Sequence, residues 1–284
     1  MFNTKSTLRT LIAGAFLAVA ASAQAAPVFT VDPRSNGLDV PGPGGLQNVT
    51  QIFDASTMKG ESSVRITKTA GENQYASVGW IRYDAFSLNA TGSSGNIPGV
   101  ISGLGNNYNL YATFTQTFTC DGALGINVSC AINDINLSLW AHAGLGADFN
   151  LATLGSNATV TDDAGRVEIG RVTSIISGTA GLNELGGAFQ NVNTTFELTA
   201  AGQNFFIEPD PFYTATFNAF NNTTGGAVCD TAGCVNPNVV AVTEESGITN
   251  FSGEPTEVPE PGSLALMGLG LLGLGAYRRK RLQK

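Results

Sequence analysis

The chain has 284 residues, with 14 Lys and Arg against 22 Asp and Glu, a formal charge of −8. An acidic balance of this kind repels nucleic acid and anionic lipid, so composition excludes a nucleic-acid role. Abundant Gly, Asn, Thr and Ser with few Lys and Glu argue against long helices and for β-structure.

Lys5 and Arg9 are followed by an apolar stretch, Leu11–Ala21, and by Ala23-Gln24-Ala25, a small-x-small cleavage site. This is the pattern of a secretory signal peptide over residues 1–25, a short signal helix cut after Ala25. The apolar stretch is too short for a membrane anchor. Export through the Sec pathway is therefore expected, with a β-rich body over 26–250, a linker at 251–258 and a distinct tail at 259–284. Between leader and tail, residues 26–258 hold 7 basic and 21 acidic side chains, a formal −14.

Within the body, Val28–Val31 alternates as a short strand and residues 34–46 read as a Gly/Pro loop. Strands are expected at Asn48–Phe53, Ser62–Thr67 and Tyr75–Leu88, the last with a bulge near Gly79 or Asp84. Residues 89–106 read as loop. The clearest strand is Tyr108–Cys120: Leu110, Ala112, Phe114 and Phe118 share one face, and Tyr111, Thr113, Thr115 and Thr117 share the other. A turn at Asp121–Gly125 leads into a second long strand, Ile126–His142. Later strands are expected at Ala158–Thr161, Arg166–Ser177, Thr194–Thr199, Asn204–Ile207, Tyr213–Phe220 and Asn238–Thr243, with residues 179–188 as loop or one helical turn. This many strands separated by turn residues predicts an all-β, antiparallel body, either a β-sandwich or a barrel.

Four cysteines lie in two close pairs, Cys120/Cys130 and Cys229/Cys234, each flanking turn residues. In an oxidising compartment they are expected as two local disulfides. The alternative, a four-cysteine zinc site, lacks the double CxxC spacing, and no metal site is expected from the cysteines.

Reaction chemistry is sparse. His142 is the single histidine, and a Ser-His-Asp arrangement would have to use it with Asp148 or a distant carboxylate. Asp162/Asp163 and Glu208/Asp210 are the paired carboxylates a glycosidase would need, yet Asp162-Asp163-Ala164-Gly165 reads first as a hairpin turn. No catalytic residues are assigned. No cofactor is expected, calcium on oxygen-rich loops being the one class the composition admits.

The chain closes on Val258-Pro259-Glu260-Pro261, an apolar run from Leu264 to Tyr277, and Arg278-Arg279-Lys280-Arg281. Two prolines keep the first part extended. As a helix, the 16 residues of Gly262–Tyr277 reach about 24 Å, a transmembrane helix slightly short of a ~30 Å hydrocarbon core. The basic cluster then holds the end on the cytoplasmic side. Gly268-Leu269-Gly270-Leu271-Leu272-Gly273 matches a dinucleotide-binding pattern by letter only, since no βαβ unit follows.

The tail resembles the PEP-CTERM sorting signal of Gram-negative bacteria. The resemblance implies recognition by an exosortase-type membrane enzyme, a transient inner-membrane anchor, and release to the cell surface or extracellular matrix. The run Phe196–Tyr213, with its Pro209-Asp210-Pro211-Phe212-Tyr213 block, together with Tyr108–Ala112 and the tail, is similar to the flocculation-associated PEP-CTERM protein family. That likeness implies a non-enzymatic surface or matrix protein supporting exopolysaccharide-associated aggregation and biofilm. A carbohydrate- or calcium-binding adhesion module and a secreted hydrolase are the alternative readings.

Overall fold

The computed structural model describes residues 27–38, 50–89, 95–221 and 227–253. Its strands are β1 (Phe29–Val31), β2 (Phe53–Ala55), β3 (Thr57–Lys68), β4 (Gln74–Ser87), β5 (Tyr108–Cys120), β6 (Ser129–Ala143), β7 (Asp148–Asn150), β8 (Thr159–Thr161), β9 (Val167–Leu182), β10 (Ala188–Leu198), β11 (Phe206–Glu208), β12 (Ala215–Asn221), β13 (Ala227–Cys229) and β14 (Val239–Ser252). Two short helices, α1 (Gly99–Ser102) and α2 (Ala200–Phe205), interrupt them.

Eight strands pair antiparallel in the order β3-β4-β5-β6-β9-β10-β12-β14. The last, β14, pairs with β12 on one side and with β3 on the other, so the sheet closes on itself. Of the two architectures that alternation allows, the chain adopts the barrel. Closure removes the long unpaired edges an open sheet of this size would carry. The lumen is filled by the faces read from sequence: Leu110, Ala112, Phe114 and Phe118 of β5 and Ile135, Leu137 and Leu139 of β6 are all buried. Burying each large side chain contributes about 1.5–3 kcal/mol.

The barrel has two distinct ends. At one, a three-stranded sheet in the order β11-β1-β2 covers the opening. Phe29 of β1 packs edge-on against Phe206, Phe86 and Phe251 there. At the other, disulfides Cys120–Cys130 and Cys229–Cys234 pin two loops, and Asn236 N–H donates to Leu124 O between them at 2.9 Å. Both cysteine pairings match the local pairing expected from their spacing.

Several elements differ from their sequence-based bounds. The bulge lies at Asp84: Lys59 pairs with Ala85 and Gly60 with Tyr83, skipping it. Gly60 is required there, because a Cβ would meet Arg82 O at 2.1 Å. The strand expected at 48–53 begins only at Phe53, and β6 starts at Ser129 rather than Ile126. β9 runs on to Leu182, so only residues 183–187 of the expected loop turn. β10 begins at Ala188, and β14 continues through Ser252, two residues into the expected linker. Pairing with a neighbouring strand extends these elements where local composition is neutral.

Ala200–Phe205 is a helix where a strand was expected from Asn204. Thr199 caps it, its Oγ1 accepting from Gly202 N at 3.1 Å. The leader, residues 90–94, the Asn48 part of the second strand, and the whole tail with its expected transmembrane helix lie outside the described residues. Among the described residues no helix is long and apolar enough to cross a membrane.

Candidate functional site

The Pro209–Tyr213 block sits at the capped end and lines a cleft of about 360 Å³ with Phe196, Leu198, Gln203 and Phe206. Its Glu208–Pro209 and Asp210–Pro211 peptides are both cis. Strand alternation at Phe212 and Tyr213 would put their rings on opposite faces. Instead the two rings contact each other, centroids 5.4 Å apart, and the strand begins at Ala215. Phe212 packs on Phe206 and Phe251, while the Tyr213 hydroxyl donates to Val28 O at 2.8 Å. The block therefore seals the barrel mouth and ties it to the start of the body.

A second cleft, about 370 Å³, runs along the outer wall of β4, β5 and β6 beside the β7–β8 hairpin. Its floor carries Thr113, Thr115, Asn136 and Ser138, an uncharged row of hydroxyls and an amide. That row is the outward phase of two adjacent strands, brought level by the β5–β6 register of Thr113 with Ser138 and Thr115 with Asn136. The hairpin is anchored by Trp80, whose Nε1 donates to Asn150 O at 2.9 Å and whose ring meets Phe149 edge-on.

The candidate catalytic groups do not converge. His142 is buried, its Nε2 lies 3.2 Å from Ala164 O, and its Nδ1 has no hydrogen-bond partner. Asp162 and Asp163 stand in the turn between β8 and β9, but that turn does not close the expected hairpin, because β8 pairs with β7 and β9 with β6 and β10. Asp163 accepts from the Tyr111 hydroxyl at 2.9 Å and pairs with Arg166. Burial raises the Asp163 carboxyl, but the Tyr111 hydroxyl and the Arg166 guanidinium outweigh it and hold the group below its usual range. Arg166 in turn lies 4.1 Å over the Trp140 ring. These contacts fasten the turn to the barrel wall. Among the described residues no group of three or more His, Cys, Asp or Glu is placed to hold a metal ion.

Sequence reasoning passed over one polar feature inside the lumen. Tyr83, Thr249, Asn218, Thr216 and Thr194 form a buried hydrogen-bonded chain. Nearer the disulfide end, Gln116 Nε2 donates to Gln190 Oε1 at 2.7 Å and Ser62 Oγ donates to Glu245 Oε2 at 2.8 Å. The signal that could have found the first group is its inward phase on β10, β12 and β14, where Thr and Asn interrupt otherwise apolar positions.

The direction in which the body ends decides how these sites relate to the rest of the chain. Ser252 pairs with Ala215 at the capped end, immediately after the Pro209–Tyr213 block. Beyond Gly253, a family model described as the PEP-CTERM protein-sorting motif matches residues 257–281. The chain carries a PEP-CTERM sorting motif. The match takes in Val258, Pro259, Glu260 and Pro261 and the cluster Arg278, Arg279, Lys280 and Arg281. Such motifs are recognised by exosortase and mark an exported protein that is processed at the membrane. No curated protein and no solved structure matches the chain.

Proposed function

We propose that the chain is a non-enzymatic exported protein of the cell surface or extracellular matrix of a Gram-negative bacterium. It enters the Sec pathway through residues 1–25, is held transiently in the inner membrane by a helix over Gly262–Tyr277, and is handed to an exosortase-type enzyme. In the matrix it supports exopolysaccharide-associated aggregation, as in flocs and biofilm. The observation that carries this reading is the PEP-CTERM motif at residues 257–281. A barrel packed with side chains, with no converging set of acid, base and nucleophile among the described residues, is compatible with a structural role.

The test is deletion of residues 259–284 in the host, with fractionation of cells and medium and aggregation scored in the same strains. Loss of surface delivery together with loss of aggregation supports the proposal. Normal aggregation without the tail, or without the whole protein, overturns it.

A second reading, a carbohydrate-binding module, draws on the outer cleft. Thr113, Thr115, Asn136 and Ser138 present uncharged donors and acceptors suited to a neutral polyhydroxylated ligand. Glycan-array binding by the exported protein that is lost in Asn136→Ala would favour it.

A further inference from the structure

Among the described residues, two of the cavities in the barrel interior are small. The one toward the capped end is lined by Met58, Tyr83, Asn218 and Thr249, and these polar groups belong to the hydrogen-bonded chain described above. The other has a volume of about 20 Å³ and is lined by Val64, Gln116, Phe118, Gln190, Val242 and Glu245. It has room for about one water-sized species, which excludes any organic ligand.

A β-bulge puts Glu245 there. Val242 pairs with Val64 and Glu245 with Ser62, so Thr243 and Glu244 together face Ser63 alone. With strict alternation the inward phase of Val240 and Val242 would pass to Glu244. The extra residue hands it to Glu245 instead, and Ser63 Oγ holds the bulge by donating to Val242 O at 2.9 Å.

Glu245 is 4% exposed and accepts from the Ser62 hydroxyl, and among the described residues no salt bridge reaches it. The groups facing it are Ser62 and Val64 from β3, Gln116 and Phe118 from β5, and Gln190 from β10. Lys59, Glu61 and Arg65 take the outward phase of β3, and Lys68 reaches Asn236 at the disulfide end. Tyr83 is engaged with Thr249, and Tyr75 accepts from Leu124 N–H. One acceptor in the cavity wall is also unmatched: Gln116 Oε1 is buried with no hydrogen-bond partner. A carboxylate and an amide oxygen enclosed together both lack a proton.

We propose that Glu245 is a proton-binding site built into the barrel: it is held as the neutral acid, its O–H supplies the donor that Gln116 Oε1 lacks, and release of the proton loosens the seam between β14 and β3. Burial pushes the carboxyl up to about 7, with the Ser62 hydrogen bond pulling the other way. A folded-state value above the ordinary carboxylate value has a definite sign. The contribution is fully present below that ordinary value and is lost as pH rises through about 7. The exported barrel is thus tighter in mildly acidic surroundings than in alkaline ones.

Thermal unfolding of the purified full-length chain in detergent, followed at pH 5.5 and 8.5, tests this. The wild type is expected to lose roughly 4–8 °C in Tm between the two. Glu245→Gln keeps the shape and a donor but cannot ionise, so its loss should be smaller by most of that amount. Comparing the two proteins removes the contribution of Asp84, whose carboxyl is also raised by burial. Equal pH dependence in the two proteins overturns the proposal. Infrared detection of a protonated carboxyl gives a reading independent of stability. A band present in the wild type at pH 6, absent at pH 8.5 and absent from Glu245→Gln supports it. A wild type without that band at pH 6 overturns it.

Discussion

Phe29 and Phe251 meet edge to face, ring centroids 5.2 Å apart, so the first strand of the body and its last are joined at one end of the barrel. Both rings are fully buried, and Phe206 and Phe212 complete the cluster. Phe251→Ala should lower stability by about 3–5 kcal/mol. Chemical denaturation checks it. The double variant with Phe29→Ala should cost less than the sum, because the two rings share a contact.

Closure can be attacked through backbone as well as side chain. A Cβ at Gly247 would meet Ala219 O at 2.2 Å across the β12–β14 seam. Gly247→Ala should therefore cost about 1–3 kcal/mol. Amide exchange should show the loss concentrated in β12 and β14 rather than in β5 and β6.

The two disulfides should not be equivalent. Chain entropy assigns each short loop about 2–3 kcal/mol. Cys120 and Cys130 are buried at the end of the β5–β6 pair, whereas Cys229 and Cys234 are half-exposed. Replacing Cys120 and Cys130 with serine adds two buried hydroxyls to the entropic loss, so its Tm should fall further than that of the Cys229→Ser, Cys234→Ser protein.

Asp163 gives an acid-side prediction. Its carboxyl lies below the usual range, so its contribution is present above the ordinary carboxylate pKa and is lost as pH falls through the lower folded value. Asp163→Asn should cost about 1 kcal/mol near neutral pH, the ion pair with Arg166 being partly screened. The variant's stability should then fall less steeply than the wild type's below pH 4. Urea midpoints across pH 3–7 would show the two curves converging.

Where alternation was long, the sequence specified the fold closely. Tyr108–Cys120 forms β5 over the same residues, and its two faces are the lumen and the outer hydroxyl row. The pattern could not decide between sandwich and barrel, because that depends on β14 meeting both β3 and β12, a pairing between residues far apart in sequence. The Thr199 cap is local and could be read from sequence, but the helix it starts runs to Phe205, into a segment whose Phe205-Phe206-Ile207 run has strand composition. Glu245 was hidden because a bulge reverses the phase just before it, and a bulge follows from pairing rather than composition. The tail was legible because its motif is linear and needs no tertiary partner.

That double pairing of β14 also orders events in time. The facing edges of β3 and β12 have no partner until residues 239–252 are present, so the barrel closes only on its last strand. Under the proposed route, in which the chain crosses the membrane N-terminus first, that closure falls just ahead of the sorting motif at residues 257–281. A protein stalled short of β14 would present two open strand edges to whatever lies nearby.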